Sequence, residues 1–270
     1  MKLSEIYKIA DEIAPKRLSD EYCKNYGAYD NSGVLVDTGD EVKGVLFTLD
    51  LSGAAIAKAR EIGANLIITH HPAIYGKISH ICDNEPLGGK LVDCIKNGIS
   101  VLSMHLNLDG AAGGIDESLM EGVCLSAGGK GAENAQIMHP LTGGGYGRAY
   151  GVKEISLADL AENIKKVFST ERVLVYGDKS KKIDRAASFC GAGADEEAIA
   201  FAAKNSEGGS GVIISSDFKH HLIALALEEG LSVIVLTHYA SENYGFYKYY
   251  EKMRRQLNIP CEYHTDIELL

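Results

Sequence analysis

Three places in the chain set metal-ligating side chains directly behind an apolar run. They are Asn65-Leu-Ile-Ile-Thr-His70-His71-Pro72, then Ile99–Ser103 followed by His105 and Asp109, then Leu231–Thr237 followed by His238 and Glu242. Neighbours on an extended segment point to opposite sides. His70 and His71 therefore either serve two ions, or one ring binds while the other packs. His105 and Asp109 are four residues apart, as are His238 and Glu242. That spacing puts both groups on one face wherever the segment turns helically. Imidazole and carboxylate donors without thiolate suit zinc, manganese, iron or similar divalent ions, and a shared carboxylate can bridge two of them. Each pair alone arises often by chance. Three sets behind three buried strands point to strand ends that meet and hold metal.

Runs of four or five apolar or β-branched residues suit strands buried on both faces, as in a parallel sheet. Open α/β sheets place ligands just beyond the carboxyl ends of such strands. The segments between support this layout. Val45–Leu49 reads as a strand, 54–62 as a helix closed by Gly63, and the His-His strand follows, a β-α-β unit with a right-handed crossover. Residues 89–96 supply another helix before the strand at 99–103. Residues 3–14 form an amphipathic helix with Ser4 as its cap, ended by Pro15. Tyr29-Asp-Asn-Ser-Gly33 reads as turn chemistry leading into a strand.

Glycine is dense from Gly110 to Gly147, which suits a domain boundary. Gly143-Gly-Gly-Tyr-Gly147-Arg148 lacks the lysine and Ser/Thr of a phosphate loop, so a flexible connection or bulged strand is expected. Alternation then resumes. Ser156-Leu-Ala-Asp159 opens a helix as a capping box. Strands are expected at 173–176, 186–190, 212–215 and 231–237, and helices at 195–204, 221–229 and 244–257. Lys219 and His220 read as lining the mouth of the same pocket, in contact with an anionic substrate, or equally the segment is a helix start with Asp217 as its cap. His80, His139 and His264 read as structural.

The bulk properties narrow the function classes. The 270 residues can bury a sizeable core, and 46% hydrophobic with 24% charged residues is ordinary globular composition. A net charge of -10 argues against nucleic-acid binding through a broad basic surface. Six scattered cysteines without a C-x-x-C pair suggest reduced thiols. The charged N-terminus has no apolar core of a signal peptide, and no apolar run approaches the ~20 residues of a membrane span. A cytoplasmic protein without membrane association is expected.

Together YDNSGVLV, LIITHHPAIYG, MHLNLD, GYGRAYG, FCGAGAD, SSDFKHH and THYASE resemble the Nif-three-like dinuclear metal-centre family, the GTP cyclohydrolase 1 type 2 homologues. They occur in family order from Tyr29 to Glu242. The resemblance implies metal ligands at His70, His71, Asp109, His238 and Glu242, holding two divalent ions per subunit (zinc, iron or manganese). Glu242 would bridge, with His71 and Asp109 on one ion and His70 and His238 on the other. His105 falls to the pocket as general acid or base. It further implies two interlinked α/β domains with mainly parallel strands and the metals between them, 1–128 plus 239–270 and 129–238, and a toroidal homohexamer. The implied activity is hydrolytic opening of the guanine imidazole ring of a nucleotide substrate, with release of formate. A two-metal phosphoester hydrolase and a metal-binding scaffold without turnover are the alternatives. The chain departs from the family pattern at Ser215-Ser216-Asp217, often Thr-Gly-Asp or Thr-Gly-Glu, and at Thr237-His238-Tyr239, often Gly-His-Tyr. The ligands survive both changes.

Overall fold

The computed structural model describes residues 1–39, 41–207 and 210–270. The chain forms two compact units, Met1–Ala111 with Phe246–Asp266, and Ala112–Gly245 with Ile267–Leu270. The division expected from sequence was 1–128 plus 239–270 against 129–238. The difference lies mainly in one helix after Ala111, which packs on strands and a helix of the second unit.

In chain order the first unit comprises α1 (Leu3–Ile13), α2 (Lys16–Tyr26), β1 (Gly33–Val36), β2 (Val45–Thr48), α3 (Gly53–Glu61), β3 (Leu66–Thr69), α4 (Pro86–Lys96), β4 (Ser100–Ser103) and α5 (Leu106–Asp109). Its sheet runs β1-β4-β3-β2, closed at the far edge by a short strand at Cys261–Tyr263. All pairs are parallel except β1 with β4. Every residue of β2, β3 and β4 is buried, as two-sided coverage by crossover helices requires. Leu66, Ile67 and Ile68 are fully buried, each contributing about 1.5–3 kcal/mol. The register levels the strand ends, with Thr48, Thr69 and Ser103 side by side at the carboxyl edge. The backbone ladder continues past them, with His71 N donating to Leu49 O at 2.9 Å and Met104 N to Thr69 O at 2.9 Å. Asp50, His70, His71 and His105 therefore leave the sheet from one edge.

The second unit holds α6 (Ile115–Ser126), β5 (Glu133–Leu141), β6 (Gly144–Ser156), α7 (Leu157–Val167), β7 (Leu174–Tyr176), β8 (Lys182–Ser188), α8 (Glu196–Lys204), β9 (Gly211–Ser215), α9 (His220–Glu228) and β10 (Ser232–Val235). Helix α10 (His238–Arg254) begins there and ends in the first unit, followed by β11 (Cys261–Tyr263). The second sheet runs β5-β6-β8-β9-β10-β7, parallel at its centre (β8, β9, β10) and antiparallel at its flanks. This is the α/β class expected, with parallel strands dominating the first sheet. Ser156 caps α7 through Asp159 N at 3.1 Å, as its motif foretold.

Several elements differ from the sequence reading. Ser4 lies inside α1, which starts one residue earlier. Pro15 both ends α1 and precedes α2 directly, and α2 buries only Leu18 and Ser19, too little for an apolar period. Helix α6 sits within the glycine-dense stretch, where Gly122 faces Phe168: an added Cβ would meet the ring at 2.4 Å. The Gly-rich run before Arg148 is strand β6, in keeping with the strand alternative of the sequence reading. Gly145 and Gly147 have positive φ there and leave room for Ile137 and Phe189, which would lie 2.5 and 2.6 Å from an added Cβ.

Arg148 is buried and ion-paired with buried Asp116, whose Oδ2 also accepts Gly147 N at 3.0 Å. The guanidinium is thus committed internally, in keeping with the rejection of a phosphate loop from sequence. Asp116→Ala strands a buried cation and is expected to destabilise the protein by about 3–5 kcal/mol, read by denaturant unfolding. A loss under about 1 kcal/mol contradicts this assignment.

Candidate metal centre

The first unit brings together His70, His71, His105 and Asp109. His70 Nε2, a His105 ring nitrogen and an Asp109 carboxylate oxygen can all lie within 4.8 Å of one another. His70 Nε2 is 3.5 Å from Asp109 Oδ1. The ring centres of His70 are 4.9 Å from His71 and 5.1 Å from His105. Asp109 reaches this group because α5 forms one helical turn, with its N donating to His105 O at 2.9 Å. The spacing of four thus operates as expected.

Each ring is oriented by a bond on its other nitrogen. His70 Nδ1 donates to Met104 O at 2.8 Å, His71 Nδ1 to Asp50 Oδ1 at 2.8 Å, and His105 Nδ1 to Asp30 Oδ1 at 2.8 Å. A carbonyl can only accept, so His70 carries its proton on Nδ1 and its lone pair on Nε2 when neutral. This pattern, Nδ1–H held by an oxygen and Nε2 presented inward, is how proteins prepare histidines for metal. His70 is fully buried and Asp109 nearly so. A carboxylate desolvated among imidazoles is costly unless a cation offsets it. Metal–ligand bonds of about 2.0–2.2 Å span donor pairs of roughly 3–4.4 Å, which the His70–Asp109 separation meets. The donor set fits divalent metal.

Asp30 is a second hub. Its carboxylate accepts from Ser19 Oγ (2.5 Å), Ser32 Oγ (2.6 Å) and His105 Nδ1. Burial alone raises its pKa, but the bonds from His105, Ser19 and Ser32 outweigh that and hold it well below the usual carboxylate range. Burial likewise lowers His105, and the bond to Asp30 with the charge of Asp109 overcomes it, leaving the imidazole raised.

In the second unit His238 and Glu242 share one face of α10, with Nε2 3.2 Å from Oε1. Thr237 Oγ1 caps the helix by accepting Ala240 N at 3.0 Å. Asp217 Oδ2 accepts from His238 Nδ1 at 2.6 Å, repeating the pattern of the first unit. Gly191 presses against the pair. Its φ is +58°, and an added Cβ would lie 2.4 Å from Glu242 Oε1. Gly191 is itself pinned, its N donating to Ser241 Oγ at 3.1 Å and its carbonyl accepting from Ser216 Oγ at 2.5 Å.

The residues chosen from sequence thus fall into two gathered sets: His70, His71, His105 and Asp109 in one unit, His238 and Glu242 in the other. His105, assigned to the pocket by the resemblance, stands among the donors with His70 and Asp109. Sequence reasoning missed the anchors Asp30, Asp50 and Asp217 and the close approach of Gly191. Asp30 looked like turn chemistry, which it also performs through Ser32. Asp217 does not cap α9, whose preceding residue is Lys219; at φ +52° it turns to His238, and with Lys219 and His221 it lines a pocket. His139 stacks on Tyr146, and His264 bonds Asp266, in keeping with structural roles. No helix among the described residues is long and apolar enough to cross a membrane.

These anchors carry measurable consequences. Asp50→Ala and Asp217→Ala should each weaken divalent-metal affinity about 10–100-fold while the fold persists, measured by chelator competition. Gly191→Ala should do the same by displacing Glu242, and unchanged affinity in all three contradicts the geometry. In metal-free protein, the depressed Asp30 pKa contributes stability present above its unfolded value of about 3.9, lost as pH falls through its folded value. The raised His105 pKa contributes stability present below about 6.5, lost as pH rises through its folded value. Asp30→Asn should flatten both limbs of the stability–pH curve, and a curve parallel to that of the parent chain contradicts the pairing.

Comparison with known proteins gives the family and the fold. The family model Duf34/NIF3 (NGG1p interacting factor 3) matches residues 1–267. A Clostridium perfringens protein named GTP cyclohydrolase 1 type 2 homolog is 30% identical over 266 residues, covering 97% of this chain and 95% of its own. A Methanocaldococcus jannaschii protein of the same name is 30% identical over 264 residues, 96% of this chain and 97% of its own. Among solved structures, reduced HcgD from M. jannaschii superposes with TM-score 0.78 at 29% identity over 97% of both chains. A Bacillus cereus protein related to NIF3 reaches 0.80 at 18% identity, covering 97% of this chain and 96% of its own, a likeness of fold. With the family model spanning nearly its whole length, the chain belongs to the DUF34/NIF3 family.

Proposed function

We propose that this protein is a dinuclear metal-dependent hydrolase acting on a purine nucleotide, with ring opening of the guanine imidazole of GTP and release of formate as its reaction. The observation that carries the reading is the set of histidines whose Nδ1 atoms are held by oxygen acceptors, with His70 Nε2 facing Asp109 in one unit and His238 Nε2 facing Glu242 in the other. His70, His71, Asp109, His238 and Glu242 are the proposed ligands of two divalent ions. The shared name of the two relatives, GTP cyclohydrolase 1 type 2 homolog, supports the substrate class.

When bound, such ions lower the pKa of coordinated water towards about 7 and polarise the group under attack. The chain's own contribution is to place and to move protons. Asp50, Asp30 and the Met104 carbonyl fix the rings. His105, with Asp30 behind its Nδ1, has the one nitrogen through which a proton can pass to a purine ring atom as the imidazole opens. Buried Leu108 and Met104 beside these residues limit bulk water. We propose further that the protein acts in the cytoplasm as a homohexamer.

Protein reconstituted with zinc, iron or manganese and given GTP should release formate in proportion to bound metal. His105→Ala should keep its metal and lose about 10²–10⁴-fold in rate. His71→Ala and Glu242→Ala should lose metal instead. Full metal content with no formate from GTP contradicts the reaction, and unchanged metal content in both ligand variants contradicts the ligand assignment.

A further inference from the structure

The loop between β3 and α4 gathers a second donor set of different chemistry. His80 Nε2, the Cys82 thiol and a Glu85 carboxylate oxygen lie within 4.8 Å of one another. His80 Nε2 is 3.1 Å from Glu85 Oε1, and its Nδ1 is 2.9 Å from Ser79 Oγ. An exposed His–Glu pair by itself adds little to stability and does not call for a thiol. Here a free thiol joins it.

The backbone holds this arrangement in place. Glu85 N donates to Cys82 O at 3.2 Å. Gly88 and Gly89, in the first turn of α4, let the loop lie against the helix: an added Cβ would fall 2.0 Å from Cys82 O and 2.7 Å from Asp83 O. The three donors thus sit on one short segment already docked, which lowers the ordering cost of binding. Donors on a tetrahedral zinc lie roughly 3.3–3.6 Å apart, so rotation of exposed side chains suffices to close the set. A net cation at a helix N-terminus is disfavoured. A thiolate and a carboxylate neutralise a divalent ion, so that opposition is absent.

We propose that His80, Cys82 and Glu85 form a peripheral site for a thiophilic divalent cation of the zinc class, with solvent as the fourth ligand. The bound ion staples the loop to α4. The same loop carries Tyr75, whose ring centre is 6.2 Å from that of His105, so occupancy steadies one neighbour of the metal centre. Thiolate ligation separates this site from the nitrogen and oxygen donors of that centre, and the inference does not rest on the proposed reaction.

Cobalt(II) titrated into the metal-free full-length protein reports the site directly. A near-ultraviolet thiolate-to-cobalt charge-transfer band is expected in the parent chain, lost in Cys82→Ser, and retained in Cys190→Ser and in His71→Ala. His80→Ala should shift the titration midpoint at least about tenfold upward, and added zinc should bleach the band. No band in the parent chain, or a band that survives Cys82→Ser, overturns the proposal.

Discussion

An imidazole whose Nδ1–H is committed to an oxygen acceptor has one lone pair left, on Nε2, and one orientation in which to offer it. Four histidines of this chain are held that way, by Met104 O, Asp50, Asp30 and Asp217. The rest of the candidate centre depends on these bonds. Three of the anchors act at the carboxyl edge of one parallel sheet, where the register of β2, β3 and β4 brings Thr48, Thr69 and Ser103 level. A slip of one residue in β3 would turn His70 and His71 to the opposite faces. Close packing of Leu66, Ile67 and Ile68 in their own places in the core opposes that slip.

The same sheet explains why so many charged and polar groups tolerate burial. Asp30, Asp109 and His70 are withdrawn from water and would destabilise the fold without partners. Asp30 is stabilised outright by three hydrogen-bond donors. Asp109 and the inward Nε2 atoms form a set whose natural partner is a divalent cation. In the second unit, Gly191 at positive φ lets backbone approach Glu242 more closely than any side chain would permit.

Much of this was legible in the sequence. Short, mostly apolar runs marked β2, β3, β4 and β9, and Gly63 and Gly98 closed the helices between. The pairs His105/Asp109 and His238/Glu242 were found by spacing, because each occupies a helical turn just past a strand. What escaped had weak local signals. Helix α2 is polar on nearly every face, and α6 lies in a glycine-dense stretch in which Gly122 serves close packing against Phe168. Helix α10 begins at His238, six residues before its expected start at Tyr244, because Thr237 caps it by a hydroxyl rather than by an apolar period. The anchoring carboxylates escaped for a different reason. Asp30 is 75 residues from His105 and Asp217 is 21 from His238, and no periodicity links residues so far apart. Only the fold brings them together.

Two divalent ions held by the prepared histidines and carboxylates are the core of the proposed chemistry. Anomalous diffraction from crystals of protein reconstituted with zinc, recorded on both sides of the metal edge, tests for them most directly. Two anomalous peaks are expected, in ligating contact with His70, His71, Asp109, His238 and Glu242. Absence of both peaks from these five residues, in crystals whose metal content has been verified, would contradict the dinuclear centre.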